Sequence, residues 1–177
     1  MKLLAIRHTK VDVPAGICYG QSDVGVYETF SGEAKKVKDA INMEPDVVFC
    51  SPLKRCRLLA EAVFPEKDIC FDDRLKELNF GKWELKSWDE IYASEKGRIW
   101  MDNYQTLPTR NGESYPEMTK RINSFLSELK KSTAENVIVF THAGVIRIMK
   151  SILEKQKISE LFENYRPDYG NVTEFEM

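Results

Sequence analysis

Histidine is almost missing from this chain, with two residues among 177. Two are too few to complete a zinc site unless the cysteines join them. The four cysteines, Cys18, Cys50, Cys56 and Cys70, contain no C-x-x-C pair, so reduced, mostly buried thiols are expected in place of disulfides or a metal site. Charge of one sign is not in excess either: the formal net charge of -2 gives no general attraction toward nucleic acid or an anionic membrane. Any bound anion must therefore be held by a local cluster. There is no long apolar run at the start, because Met1 to Ile6 meets Arg7 and His8 at once, too soon for a signal-peptide core or a membrane span. A cytoplasmic setting is expected. Internal repeats, low-complexity tracts and linker-like stretches are also missing, and a length in the commonest domain range is read as one domain, 1–177.

What is present is a repeated grammar. Leu3-Leu4-Ala5-Ile6 is a short apolar run ending at charged residues, as suits a strand buried in a parallel sheet. Asp46-Val47-Val48-Phe49-Cys50 runs into Ser51-Pro52, and Asn136-Val137-Ile138-Val139-Phe140 runs into Thr141-His142-Ala143-Gly144. Each β-rich run gives way to a turn and then to a helical pattern. Helical spacing covers residues 30 to 43, 53 to 64, 115 to 131 and 145 to 155, with Met118, Ile122, Phe125, Leu126 and Leu129 forming one stripe. Ile69-Cys70-Phe71 is strand-like, and Asn171 to Met177 reads as a last strand. Strands alternating with helices predict an α/β fold of three αβα layers around a mostly parallel central sheet. The region from about 79 to 114 is the least regular and is expected to form a lid or wall.

The chemistry concentrates where the strands end. Both histidines, His8 and His142, directly follow a predicted buried strand, and ligands in such sheets bind beyond the strands' carboxyl ends. A histidine that attacks phosphorus must be neutral, while the oxygens it gathers need cations nearby. Arg7 is one candidate cation. Arg55, in Ser51-Pro52-Leu53-Lys54-Arg55-Cys56-Arg57, is the second, at the start of a helix whose N–H groups and dipole favour an anion. A departing ester oxygen also needs a proton donor, and a carboxylic acid is the remaining type. Glu77, Glu84 and Asp73 are the candidates, with Glu77 preferred for its apolar neighbours.

Arg7-His8-Thr9, Ser51-Pro52-Leu53-Lys54-Arg55-Cys56, Leu75-x-Glu77-x-x-Phe80-Gly81-x-Trp83-Glu84, Gly112-Glu113-Ser114 and Thr141-His142-Ala143-Gly144 follow one another in a distinctive order. In this the chain resembles the phosphoglycerate-mutase-like branch of the histidine phosphatase superfamily over nearly its whole length. The resemblance implies a phosphoglycerate-mutase-like fold, with His8 as the phosphorylated nucleophile and Arg7, Arg55 and His142 holding the phosphoryl group. It makes Glu77 the general acid and base, and it implies no metal and no cofactor. Gly16-Ile17-Cys18-Tyr19-Gly20-Gln21-Ser22-Asp23-Val24 looks like the α-ribazole-5′-phosphate phosphatases of cobalamin nucleotide-loop assembly. Two positions depart from the pattern: Thr9 follows the nucleophile and Leu85 follows Trp83-Glu84, both in place of glycine.

The implied partner is a small phosphorylated metabolite, with inorganic phosphate as product and no role for nucleic acid or membrane. Tyr19, Gln21, Glu113 and Ser114 are read as candidates for the substrate side, with packing the competing reading for Tyr19 and a helix cap that for Ser114, and Thr9 and Ala143 are candidates for the phosphate. Trp83, Trp88 and Trp100 are read as satellite core, one of them available to cover an aromatic base. Three other readings compete with an α-ribazole 5′-phosphate phosphatase. They are a broad-specificity sugar or nucleotide phosphatase, a phosphoglycerate mutase, and a catalytically silent phospho-ligand-binding module.

Overall fold

A computed structural model describes residues 1–177. The apolar run at the start forms β1 (Lys2–Arg7), where Leu3, Leu4, Ala5 and Ile6 are all buried. Residues with period two must cover both faces of such a strand. Leu3 and Ala5 accordingly join one core cluster, and Leu4 and Ile6 the other. β2 (Val47–Cys50), β3 (Ile69–Phe71), β4 (Asn136–Thr141) and β5 (Val172–Glu176) complete a sheet in the order β3-β2-β4-β1-β5. Four strands run parallel, and β5 closes one edge antiparallel to β1.

The first face is covered by α5 (Tyr115–Leu129), whose Met118, Ile122, Phe125, Leu126 and Leu129 are buried, and by α6 (Ala143–Leu153). α1 (Phe30–Ala40) and α2 (Lys54–Val63) cover the other face through Ala34, Val37, Cys56, Leu59, Ala60 and Val63. The result is three αβα layers. Register then fixes the site: Arg7 pairs with Thr141 and Cys50 with Phe140, so β1, β4 and β2 end side by side. All four thiols are free, three buried and Cys70 exposed. No helix is long and apolar enough to cross a membrane.

The stretch from 79 to 114 is more regular than its sequence pattern predicts. It contains α3 (Trp88–Ala93) and α4 (Glu95–Asn103), each begun by a serine whose side chain accepts a backbone N–H: Ser87 from Glu90 and Ser94 from Gly97. Helices of six and nine residues show too few turns for an apolar stripe to stand out, and the caps were the available signal. α7 (Ile158–Asn164) was missed for the same reason, and it has no side-chain cap.

Candidate active site

His8 follows β1 and His142 follows β4 as the residue before α6, and the two rings lie 5.3 Å apart, centre to centre. Both are buried. Burial holds each imidazole well below its ordinary value, helped at His8 by the charges of Arg55 and Arg7 and at His142 by Arg55 and His8. Each is therefore neutral at pH 7. The Nδ1 of His8 lies 2.8 Å from the Thr9 carbonyl, which can only accept, so Nδ1 carries the proton and Nε2 the lone pair. On His142 it is Nε2 that is engaged, 2.8 Å from the Ser51 hydroxyl.

The cations around this pair are positioned by the backbone. Arg7 donates from Nη1 to the Pro167 carbonyl at 2.7 Å, and its guanidinium lies 4.0 Å from the centre of the Tyr169 ring. Arg55 is completely buried and donates through Nη2 to Gly20 O at 2.6 Å and through Nη1 to Ser22 O at 3.0 Å. With both Nη nitrogens engaged by backbone carbonyls, Arg55 does not present an open two-point fork. Nor is the start of α2 free for an anion, since Lys54 N–H donates to Asp23 at 2.7 Å. What remains is informative: Arg7 Nε, Arg55 Nε and the Thr9 hydroxyl are buried with no hydrogen-bond partner in the chain. Buried polar groups are rarely left so, and three of them beside two neutral imidazoles fit a bound oxyanion. Thr9 does not adopt a positive φ, so its side chain carries no strain at the family's glycine position.

Glu77 is half-buried and holds the start of α6: its Oε2 accepts from Gly144 N–H at 3.1 Å and its Oε1 from Leu78 N–H at 3.0 Å. A Cβ at residue 144 would stand 2.2 Å from Glu77 Oε1. Only glycine lets the carboxylate sit there. Glu84, the rival carboxylate, accepts from the backbone N–H groups of Gln21, Ser22 and Phe80 and so ties two loops together. Asp73 lies in a surface turn, paired with Lys76.

A cleft of about 870 Å³ gathers Arg7, His8, Tyr19, Glu77 and Ala143 along its walls. Tyr19 stands beside His8 with ring centres 6.4 Å apart, its hydroxyl 3.2 Å from that of Tyr169. Other expected residues point elsewhere. Gln21 donates to the Glu77 carbonyl at 2.9 Å and supports that loop from behind. Glu113 pairs with Arg121 at 2.6 Å. Ser114 forms a capping box with Glu117 at the start of α5, so its hydroxyl is occupied by its own helix. Sequence reading missed Arg147, Phe162 and Tyr115 in the cleft wall, and Tyr169 beside His8. Arg147 was signalled, one helical turn beyond Ala143. No three or more His, Cys, Asp or Glu residues are grouped to hold a metal ion.

The mostly parallel αβα sheet carries this cleft at its strand ends, and similarity to named phosphatases makes the protein a phosphoric monoester hydrolase of the histidine phosphatase type. The chain belongs to the histidine phosphatase superfamily, branch 1, whose family model matches residues 3–177. The adenosylcobalamin/alpha-ribazole phosphatase of Salmonella typhimurium is 27% identical over 177 residues, 96% of this chain and 87% of that protein. Phosphoserine phosphatase 1 of Hydrogenobacter thermophilus is 28% identical over 156 residues, 84% of this chain and 74% of that protein. The alpha-ribazole phosphatase from Shigella flexneri shares the fold, with a TM-score of 0.92 at 21% identity over 100% of this chain and 91% of that one.

Proposed function

We propose that the protein hydrolyses phosphoric monoesters in two steps through a phosphorylated His8. The observation that carries this is the neutral His8 ring, its Nδ1 proton committed to Thr9 and its Nε2 lone pair free. In the first step Nε2 attacks phosphorus, a P–N bond forms, and the ester P–O bond breaks. Glu77, protonated for this step, gives its proton to the departing alkoxide. In the second step the Glu77 carboxylate takes a proton from water, the hydroxide oxygen bonds to phosphorus, and the P–N pair returns to Nε2. Inorganic phosphate leaves. Arg7 Nε, Arg55 Nε and the Thr9 hydroxyl are the donors free to hold the phosphoryl oxygens throughout. His142 faces the same centre from the next strand.

For the substrate we propose α-ribazole 5′-phosphate, supported by the similarity to the Salmonella typhimurium phosphatase and by the Gly16–Val24 segment, whose Tyr19 stands beside His8. A cytoplasmic setting and a single catalytic unit over 1–177 belong to the same proposal. The test is rapid quenching with labelled ester, followed by peptide mapping. Acid-labile phosphate is expected on the His8 peptide and is expected to vanish in His8→Ala; hydrolysis at the normal rate in that variant overturns the scheme.

A further inference from the structure

The phosphoryl group needs only one end of an 870 Å³ cleft, a size ordinary for a whole organic ligand. Much of the remaining wall is aromatic, with the rings in edge contact. Trp88 meets Phe80 at 5.3 Å, Phe80 meets Trp100 at 6.0 Å, and Tyr115 meets Phe162 at 4.8 Å, all between ring centres. Those rings come from α3, α4, α5 and α7 and from the turn before α3, so four helices converge on one apolar wall.

A single guanidinium interrupts it. Arg147 lies half-buried over the Phe162 ring at 4.8 Å, and its Nε donates to the Tyr165 carbonyl at 2.9 Å. That bond holds the guanidinium by one edge, its two Nη nitrogens make no hydrogen bond within the chain, and the residue lines the cleft. Burial lowers its pKa from the ordinary arginine value, with the Glu77 charge acting against that. A partly desolvated cation without an ion pair is costly unless something in the cleft compensates it. Glu163 and Arg166, farther out in the same wall, are exposed and unpaired, and neither is bonded to Arg147.

We propose that this part of the cleft is the subsite for the ester's alcohol, which carries a flat aromatic ring and a hydrogen-bond-accepting oxygen. The ring lies against the aromatic wall, and Arg147 binds the oxygen. Arg147 is then a specificity-determining residue that contacts the departing alcohol and not the phosphoryl group. The inference rests on the phosphomonoesterase reading and names the chemistry of the alcohol that departs.

The test uses three esters: adenosine 5′-monophosphate with ring and acceptor oxygens, phenyl phosphate with the ring alone, and glycerol 1-phosphate with oxygens alone. Comparing each variant with the unaltered protein on the same ester cancels differences in leaving-group reactivity. Arg147→Met is expected to lower kcat/KM on adenosine 5′-monophosphate by roughly 10- to 100-fold more than on phenyl phosphate, the loss of a charge-assisted bond. Trp88→Leu is expected to cost both ring-bearing esters roughly tenfold more than glycerol 1-phosphate. Equal losses on all three esters in both variants overturn the subsite while leaving the phosphatase reading intact. If the unaltered protein turns over none of the three, the same comparison is made on α-ribazole 5′-phosphate, and failure to hydrolyse that ester as well removes both readings.

Discussion

Acidification supplies a test of the site that needs no substrate. The chain has two histidines, and both are buried and neutral, their pKa values held well below 6.5 chiefly by burial. In the unfolded chain each imidazole takes up a proton as the pH falls through about 6.5. The folded protein does not. The unfolded state therefore binds more protons, and stability is full above that pH and drops as acid is added. Over the range in which both rings stay neutral in the fold, each contributes about 1.36 kcal/mol per pH unit, so the pair gives a slope of about 2.7 kcal/mol per unit, and two such units remove about 5 kcal/mol. That is comparable to the whole stability of many domains. Carboxylates enter lower in the range, and Asp46 lower still, because the backbone N–H groups of Asn136 and Glu135 hold it ionised. The assay is urea unfolding followed by circular dichroism from pH 7.5 to 5 in phosphate-free buffer at fixed ionic strength. His8→Asn or His142→Gln should each halve the slope. A flat profile between pH 6.5 and 5 would show that the two rings are not buried and neutral together, and the proposed nucleophile would lose its basis.

Leu85 has φ 64° with its side chain 60% exposed, a left-handed backbone at the position where the family pattern has glycine. Leu85→Gly is expected to raise stability by about 0.5–1 kcal/mol, or about 1–4 °C in Tm, and a lower Tm would contradict the strain. Ser114→Ala removes one half of a capping box and should cost about 1 kcal/mol with kcat/KM unaltered; a rise in KM would return Ser114 to the substrate side. Gly144→Ala puts a Cβ where Glu77 Oε1 now lies, and the end of a side chain can move aside. The fold should survive, since alanine favours a helix by about 1 kcal/mol over glycine, while kcat/KM falls by about 100-fold or more with the displaced acid. Wild-type turnover in Gly144→Ala would remove Glu77 from the proton transfers.

Why His8, His142, Arg7 and Arg55 could be read from the sequence while Arg147 and Tyr169 could not follows from how each is placed. The first four are attached to the ends of β1, β4 and β2, and buried parallel strands leave an apolar signature that locates their ends to within a residue or two. Once three such ends are known to lie side by side, the residues just beyond them must share a space. Tyr169 stands beside His8 because Gly170 N–H donates to the His8 carbonyl and Arg7 N–H to that of Asn171. These contacts join residues more than 160 positions apart, and no local period encodes them. Arg147 has the spacing of a cleft residue, but whether its face of α6 meets the cleft or solvent depends on where α7 packs, and α7 gave no stripe. Ser114 shows the converse, a residue whose motif is visible in the sequence but whose two readings, helix cap and phosphate contact, the sequence leaves open. Serine followed three residues later by glutamate is itself a complete capping box, and a hydroxyl whose donor and acceptor are both engaged locally has nothing left for a ligand. Donors that fold into no local partner, as at Thr9 and the two Nε atoms, are the ones a ligand can claim, and that distinction exists only once the chain has closed around them.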